Sequence, residues 1–121
     1  MKLSMEKVDI TERCVEYSLR IIKLYRELEK DSVGRIIGKQ LLRSGTSIGA
    51  NVHEAQGAQS KADFISKMSI AQKEAHESSY WLRIIRESGV IPVNRLNDLC
   101  EETGQLIRIL SAILISSKKK V

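Results

Sequence analysis

The sequence of residues 33–57 is VGRIIGKQLLRSGTSIGANVHEAQG. Apolar and small residues recur in it at steps of three and four, the spacing that places side chains on one face of an α-helix. This stripe consists of Val33, Ile37, Leu41, Ser44, Ile48, Val52 and Ala55. Because the stripe keeps its phase across Gly45, we predict one continuous helix over residues 33–57 rather than a break at that glycine.

Four glycines lie in the interior of this predicted helix, at positions 34, 38, 45 and 49. Each costs about 1 kcal/mol relative to alanine when it occupies an exposed helix interior. A neighbouring helix that packs unusually close would offset this cost, because the missing side chains let the two backbones approach and gain contacts. The glycines therefore predict a tightly packed helix pair.

The same three- and four-residue spacing recurs along the rest of the chain. It predicts three further helices, over residues of about 9–29, 61–88 and 94–117. The chain has one proline, Pro92, and an aromatic content of 4%, which disfavours sheets. Short connections return each helix beside the previous one. We therefore predict a single all-α domain, an antiparallel up-down-up-down four-helix bundle over residues 1–121, with a charged tail at 118–121.

Polar residues and glycines mark the predicted helix ends. Asp31 or Ser32 can cap the second helix, Ser60 the third and Asn94 the fourth. Asp63, three residues after Ser60, fits the capping-box spacing. The second and third helices are predicted to stop at Gly57 and Gly89.

Composition narrows the environment and the partners. The formal charge is +5, and the three lysines 118–120 contribute 3 of it, leaving 5 − 3 = +2 for the body. Net charge alone is thus weak evidence for nucleic acid. No segment has the length of a membrane span or the pattern of a secretion signal, so we expect a cytoplasmic protein. Cys14 and Cys100 are predicted to be reduced core residues rather than a disulfide.

No catalytic or metal-binding motif is recognisable. The spacing of Glu74, His76 and Glu77 differs from the Glu-x-x-His pattern of di-iron bundles. His53 and Glu54 fit a solvated pair at a helix end better than an acid–base pair. No phosphate loop, dinucleotide fingerprint or paired-cysteine zinc motif occurs. We therefore expect no enzymatic activity, no cofactor and no metal.

Basic residues form two clusters. Arg35, Lys39 and Arg43 lie at steps of four, within about 80° of one another and opposite the apolar stripe, while Arg83 and Arg86 lie near the end of the third helix. One interpretation is a nucleic-acid-binding surface that contacts phosphates. The other is a solvated helix face, which explains most charge runs.

Some apolar residues fall outside the stripe of their own helix. They are predicted to form an oligomer interface and consist of Leu42, Ile70, Trp81, Ile84 and Ile109. Tryptophan is enriched at interfaces, which favours self-association. The alternatives are scattered surface residues, which are common, and a surface that binds a different protein.

Three segments resemble a known family. They are QLLRSGTSIGANVHEA at 40–55, SKADFISKM at 60–68 and EAHESSYWL at 74–82. Nearly the whole chain is similar to the four-helix-bundle proteins encoded in 23S rRNA intervening sequences, which are related to the accessory variability determinant of diversity-generating retroelements. The resemblance implies an antiparallel bundle, a homopentamer, and an association with RNA or with partners that handle nucleic acid. It implies no catalytic residue.

The residues that match the family's motif are expected to be mainly structural. Small side chains suit helix packing, and Asn51 is expected to make an interhelical hydrogen bond; Arg43 is the residue expected to bind. Two hypotheses for the function follow. The chain is a non-enzymatic oligomer that binds RNA or DNA through repeated basic helix faces, or it is a protein-interaction scaffold without direct nucleic-acid binding.

Overall fold

Four long α-helices make up the fold. The computed structural model describes the backbone of residues 2–119 and the side chains of residues 10–119. The helices are α1 (Lys2–Leu28), α2 (Ser32–Gln56), α3 (Lys61–Ser88) and α4 (Asn97–Lys119), and a short 3-10 helix (Val93–Arg95) precedes α4. Residues 2–119 contain no strand, so the all-α prediction is confirmed. Residues 120 and 121 of the predicted tail lie outside the described residues.

The beginnings of α2 and α3 are capped by side chains. The Asp31 carboxylate accepts a hydrogen bond from the backbone N–H of Gly34 at 2.8 Å. The Ser60 hydroxyl accepts one from the N–H of Asp63 at 3.0 Å, and the Asp63 carboxylate accepts one from the N–H of Gln59 at 3.3 Å. These bonds satisfy backbone donors that have no partner inside the helix. Both predicted caps are confirmed.

Glycines end both of these helices. Gly57 caps the end of α2, and its N–H reaches the carbonyl oxygens of Ala55 and Glu54. Gly89 follows α3 with φ of 78°, a left-handed conformation in which a side chain would be strained. Glycine is therefore needed at position 89 for its backbone conformation.

Two predicted boundaries differ from the structure. The first helix begins at Lys2, earlier than the expected residue 9. Asn94 is not the N-cap of α4, because it lies inside the 3-10 helix. Pro92 is the N-cap of the 3-10 helix, and its carbonyl oxygen accepts the N–H of Arg95 at 3.0 Å. The α4 helix begins only at Asn97. The proline ring fixes φ and favours this tight turn before the α-helix.

Each helix packs against the next one along the chain, and α1 and α4 make the least extensive contact among neighbouring helices. Side-chain pairs run in opposite directions along neighbours. Lys67 near the start of α3 pairs with Glu54 near the end of α2, and Gln72 in the first half of α3 bonds to Ser111 in the second half of α4. This is the pattern that an antiparallel arrangement requires. The Gln72–Ser111 bond also shows which parts of α3 and α4 lie side by side.

The α1–α2 interface explains the glycines of α2. A Cβ atom added to Gly45 would lie 3.0 Å from Ile21, and one added to Gly49 would lie 3.1 Å from the Cβ of Cys14. At Gly34 the added atom would lie 2.5 Å from a backbone carbonyl oxygen, that of Leu28. The predicted close approach of a neighbouring helix is confirmed, and α2 is continuous through Gly45.

The core contains one polar layer, to which each helix contributes a residue. Tyr17 Oη lies 2.7 Å from Thr103 Oγ1, and Ser44 Oγ lies 2.8 Å from Ser78 Oγ. Thr103 donates its proton to the carbonyl oxygen of Leu99, so Tyr17 donates to Thr103. Burial raises the pKa of Tyr17 to about 12, which keeps the phenol neutral.

The two cysteines and Asn51 were also predicted to have structural roles. Cys14 is buried and Cys100 half-buried, and both are free thiols. Burial raises the pKa of Cys14 to about 12, so its thiol is unreactive. The expectation for Asn51 was wrong: its amide donates to the carbonyl oxygen of Ser47 at 2.8 Å, one turn earlier in the same helix.

Within residues 2–119, no helix combines the length and the hydropathy of a membrane span.

Candidate nucleic-acid interface

The basic residues of α2 lie on the outer face of the bundle. Arg35, Lys39 and Arg43 are all exposed, and α2 has no acidic side chain before Glu54. Arg35 Nη1 approaches the carbonyl oxygen of Glu29 at 3.5 Å, which leaves most of its guanidinium facing solvent. Arg35 and Lys39 are thus one turn apart and accessible to a large anion.

Arg43 is engaged by two carboxylates of α3. Its Nη2 lies 2.6 Å from Glu77 Oε2 and 3.2 Å from Glu74 Oε1. These hydrogen bonds raise the pKa of Arg43 further, and bonds from the Trp81 indole N–H and from Arg43 lower the pKa of Glu77. One guanidinium against two carboxylates has a net charge of −1. Arg43 therefore links α2 to α3, and it is less available to a phosphate than Arg35 and Lys39.

The second predicted basic cluster lines a groove between α3 and α4, here called the α3–α4 groove. The groove has a volume of about 420 Å³. Its lining residues are His76, Ser79, Tyr80, Leu82, Arg83, Arg86, Cys100 and Thr103. None of them carries a carboxylate, so the charged groups of the lining are two guanidinium groups.

The two arginines of the groove have weak internal partners. Arg83 Nε donates to Glu87 Oε2 at 2.8 Å, one turn along α3 on the exposed surface. The hydrogen bond from Arg83 lowers the pKa of Glu87, and the positive charge of Arg86 lowers it to a smaller extent. Arg86 Nη1 lies 3.9 Å from Cys100 Sγ, a weak acceptor. Exposed ion pairs contribute little, so a phosphate can replace these contacts.

Tyr80 adds an aromatic ring beside the arginines. Its side chain is 55% exposed and meets Trp81 edge-on, with ring centroids 5.0 Å apart. Tyr80 was not among the predicted binding residues. The signal was available, because His76, Tyr80 and Arg83 follow at steps of four and three and therefore share one face of α3.

The residues of the predicted oligomer interface are half-buried, with the exception of Ile70. Leu42, Trp81 and Ile109 are half-buried against the core of their own chain, and Ile84 is also half-buried. Ile70 is 38% exposed. These residues lie on three different helices, and the Trp81 indole N–H is already bonded to Glu77 at 3.1 Å.

Other apolar side chains are more exposed than the predicted ones. Ile36 on α2 is 67% exposed, and Leu19 and Val15 on α1 are 59% and 49% exposed. Val15 and Leu19 are four residues apart and therefore share one face of α1, but this spacing does not reveal how exposed they are. They are stronger candidates for contact with another chain.

Metal-binding and acid–base groups do not converge. The part of the chain that the structure describes contains no group of three or more His, Cys, Asp or Glu side chains able to hold a metal ion. Glu54, next to His53, forms an ion pair with Lys67 at 3.1 Å on the surface. His76 lines the α3–α4 groove, whereas Glu74 and Glu77 bind Arg43 on the other side of α3.

The fold and these surfaces define a small four-helix-bundle protein with a basic groove on one side. Residues 6–112 match the family model of the 23S rRNA-intervening sequence protein. The chain therefore belongs to the 23S rRNA-intervening sequence protein family.

A solved structure from Bacteroides thetaiotaomicron VPI-5482 is similar to this chain. It is 38% identical in sequence with a TM-score of 0.83, and the match covers 87% of this chain and 97% of the other. That structure is described as a protein with unknown function from the S23 ribosomal protein family. No curated protein matches the sequence.

Proposed function

We propose that this chain is a non-enzymatic, self-associating protein that binds RNA or DNA through basic surfaces on its helices. The observation that carries the proposal is the pair of basic surfaces: Arg35 and Lys39 on α2, and Arg83 and Arg86 in the α3–α4 groove. Guanidinium and ammonium groups bind phosphates and release condensed counterions, so they bind nucleic acid with little dependence on its sequence.

Self-association is part of the proposal because one subunit has a modest charge. Ile36, Leu19 and Val15 supply exposed apolar area, and a symmetric assembly repeats each basic surface once per subunit. The resemblance to the family favours a homopentamer. A nucleic-acid partner also favours a cytoplasmic location.

The test measures binding of a fluorescently labelled single-stranded RNA by anisotropy at several salt concentrations. If about four cations contact phosphates, the logarithm of the affinity falls with the logarithm of the salt concentration with a slope of about −3, since each contact contributes about 0.7. Replacing Arg35 and Lys39 together by glutamine makes the slope less negative by about 1.4. Affinity that is indifferent to salt and to this double substitution contradicts the proposal.

Light scattering of the same samples measures the mass of the assembly. The chain has a mass of 13.7 kDa, and a homopentamer has five times that mass. Glutamate substitutions at Leu19 and Ile36 place charges on the exposed apolar surface and are expected to lower the mass. A monomer in all conditions contradicts the oligomeric part of the proposal.

The second candidate is a protein-interaction scaffold that does not bind nucleic acid. The observation that favours it is the exposure of Ile36 and Leu19, because exposed apolar surface also fits a different protein. A stoichiometric protein that co-purifies after nuclease treatment, and is lost in the Leu19→Glu and Ile36→Glu variants, supports this candidate. Absence of RNA and DNA binding in the anisotropy experiment is its second requirement.

A further inference from the structure

We propose that the α3–α4 groove holds one nucleotide of a single-stranded nucleic acid, with a phosphate at Arg83 and Arg86 and a base against the ring of Tyr80. This inference rests on the proposed function and narrows it. It identifies the groove as the place where an unpaired nucleotide is held, and it predicts that single strands bind more tightly than duplexes.

The groove has the size and the donors that one nucleotide needs. Its volume of about 420 Å³ lies in the range of small-molecule sites, which is roughly 300–1,000 Å³. Arg83 and Arg86 are three residues apart and therefore neighbours on the helix surface. The Ser79 hydroxyl and the His76 ring add hydrogen-bonding groups to the same lining. The absence of a carboxylate from this lining favours an anion.

Tyr80 supplies the surface on which a base can stack. More than half of its side chain is exposed, and Trp81 contacts it edge-on, at an interplanar angle of 72°. Stacking on an aromatic ring tolerates every base and is common to proteins that bind single strands. In a duplex the bases are already stacked on each other, so only an unpaired base can use this ring.

Gly104 does not itself line the groove, but it lies one helical turn after Cys100, which does. It follows Thr103 in α4 and lies between Cys100 and Ser111, the α4 residues that contact Arg86 and Gln72 of α3. A Cβ atom at Gly104 would meet nothing closer than the Arg108 guanidinium, at 3.7 Å. Close packing therefore does not explain this glycine, whose cost in a helix a side chain would remove. Because side chains of a helix tilt toward its N-terminus, a long side chain at position 104 is expected to extend toward Cys100 and narrow the groove.

The test compares three labelled probes of equal length by anisotropy at one low salt concentration: a uridine-rich RNA, its DNA equivalent and a hairpin RNA duplex. The variants are Arg86→Gln, Tyr80→Ala and Gly104→Leu, and Arg20→Gln on the exposed surface of α1 is the charge-matched control. Gly104→Leu obstructs the groove without changing the charge, so it separates shape from electrostatics. Circular dichroism melts verify that each variant is folded.

We expect the wild type to bind both single strands more tightly than the duplex. Arg86→Gln, Tyr80→Ala and Gly104→Leu each weaken single-strand binding at least about fivefold, the lower end of what a stacked base contributes. Arg20→Gln changes it less than twofold. If the groove variants reduce RNA and DNA binding equally, the groove recognises the phosphate and base that both share. If they reduce RNA binding alone, the groove also recognises the ribose 2′-hydroxyl.

Two results overturn the inference while leaving the proposed function standing. One is salt-dependent binding that the three groove variants leave intact and that the Arg35→Gln/Lys39→Gln variant abolishes. The other is a duplex that binds as tightly as the single strands. A wild-type protein that binds none of the probes overturns the inference and the proposed function together.

Discussion

The α1–α2 interface contains helix glycines, and Gly104 of α4 lies one turn from Cys100 in the α3–α4 interface, but the surroundings of these glycines are opposite. At Gly34 and Gly45 an added Cβ would collide with α1, whereas at Gly104 it would meet ordinary contact at 3.7 Å. The first interface uses missing side chains to bring two backbones together. The second leaves an open groove beside two arginines. What a Cβ would meet, rather than the presence of glycine, therefore distinguishes packing from access.

The α2–α3 interface is a third case, in which polar side chains cover the edge of the bundle. Arg43 reaches from α2 to Glu74 and Glu77, and Glu77 also accepts the indole N–H of Trp81. This network neutralises a cation that the sequence pattern assigned to nucleic acid. It leaves the α3–α4 groove as the more basic of the two sides of α3.

The largest expected effect is that of Gly34→Ala in the α1–α2 interface. The new methyl group would lie 2.5 Å from the carbonyl oxygen of Leu28, so the backbone must shift. Overpacking of this kind costs about 1–3 kcal/mol. Urea denaturation should show a free energy of unfolding lower by that amount. An unchanged or higher value would show that α1 and α2 are not held together as closely as described.

A smaller loss is expected for Tyr17→Phe, which removes the hydrogen bond between α1 and α4. Thr103 loses this partner but keeps its bond to the carbonyl oxygen of Leu99. The expected cost is about 0.5–1.5 kcal/mol. The same denaturation measurement checks it, with Tyr80→Phe as the matched control on the surface. A loss as large as that of Gly34→Ala would contradict the expectation that the bond to Leu99 keeps Thr103 satisfied.

Gly104→Ala is expected to act in the opposite direction. Alanine is the better helix former, and no contact opposes its methyl group, so the free energy of unfolding should rise by about 0.5–1 kcal/mol. The comparison with Gly34→Ala uses the same chemical change in both interfaces. If Gly104→Ala destabilises the protein, close packing explains this glycine, and Gly104 no longer supports an open groove.

The smallest expected effect concerns acid sensitivity of the α2–α3 network. The pKa of Glu77 is lowered from 4.5 by the Trp81 indole N–H and by Arg43, so its charged form stabilises the folded state above pH 4.5. This contribution is lost as the pH falls through the lowered pKa. Trp81, the one tryptophan, should therefore change its fluorescence below pH 4.5. Glu77→Gln should remove this transition, and a transition that persists in the variant contradicts the assignment.

Much of the fold could be predicted because periodicity reports which residues are buried. The stripe around Leu41, Ile48 and Val52 corresponds to the buried face of α2. The caps at Asp31 and Ser60 were predictable because their effect is local. Asn94 was misplaced because the preceding proline formed a 3-10 turn, which the capping pattern does not reveal.

The candidate site was less accessible to sequence analysis. Spacing along one helix placed Arg83 and Arg86 together, but it could not reveal the volume beside them, which depends on α4. Nor could it reveal that Arg43 faces Glu74 and Glu77, since these residues are more than thirty positions away along the chain. Charges on different helices meet only after the fold is formed.

The most direct test is photochemical crosslinking of a uridine-rich single-stranded RNA to the wild-type protein, followed by mass spectrometry of the crosslinked peptides. If the α3–α4 groove binds nucleic acid and the α1–α2 interface only packs two helices together, crosslinks should concentrate on Tyr80 and its neighbours in residues 76–86. Crosslinks confined to residues of the α1–α2 interface, or an absence of crosslinks at saturating RNA, would contradict the account.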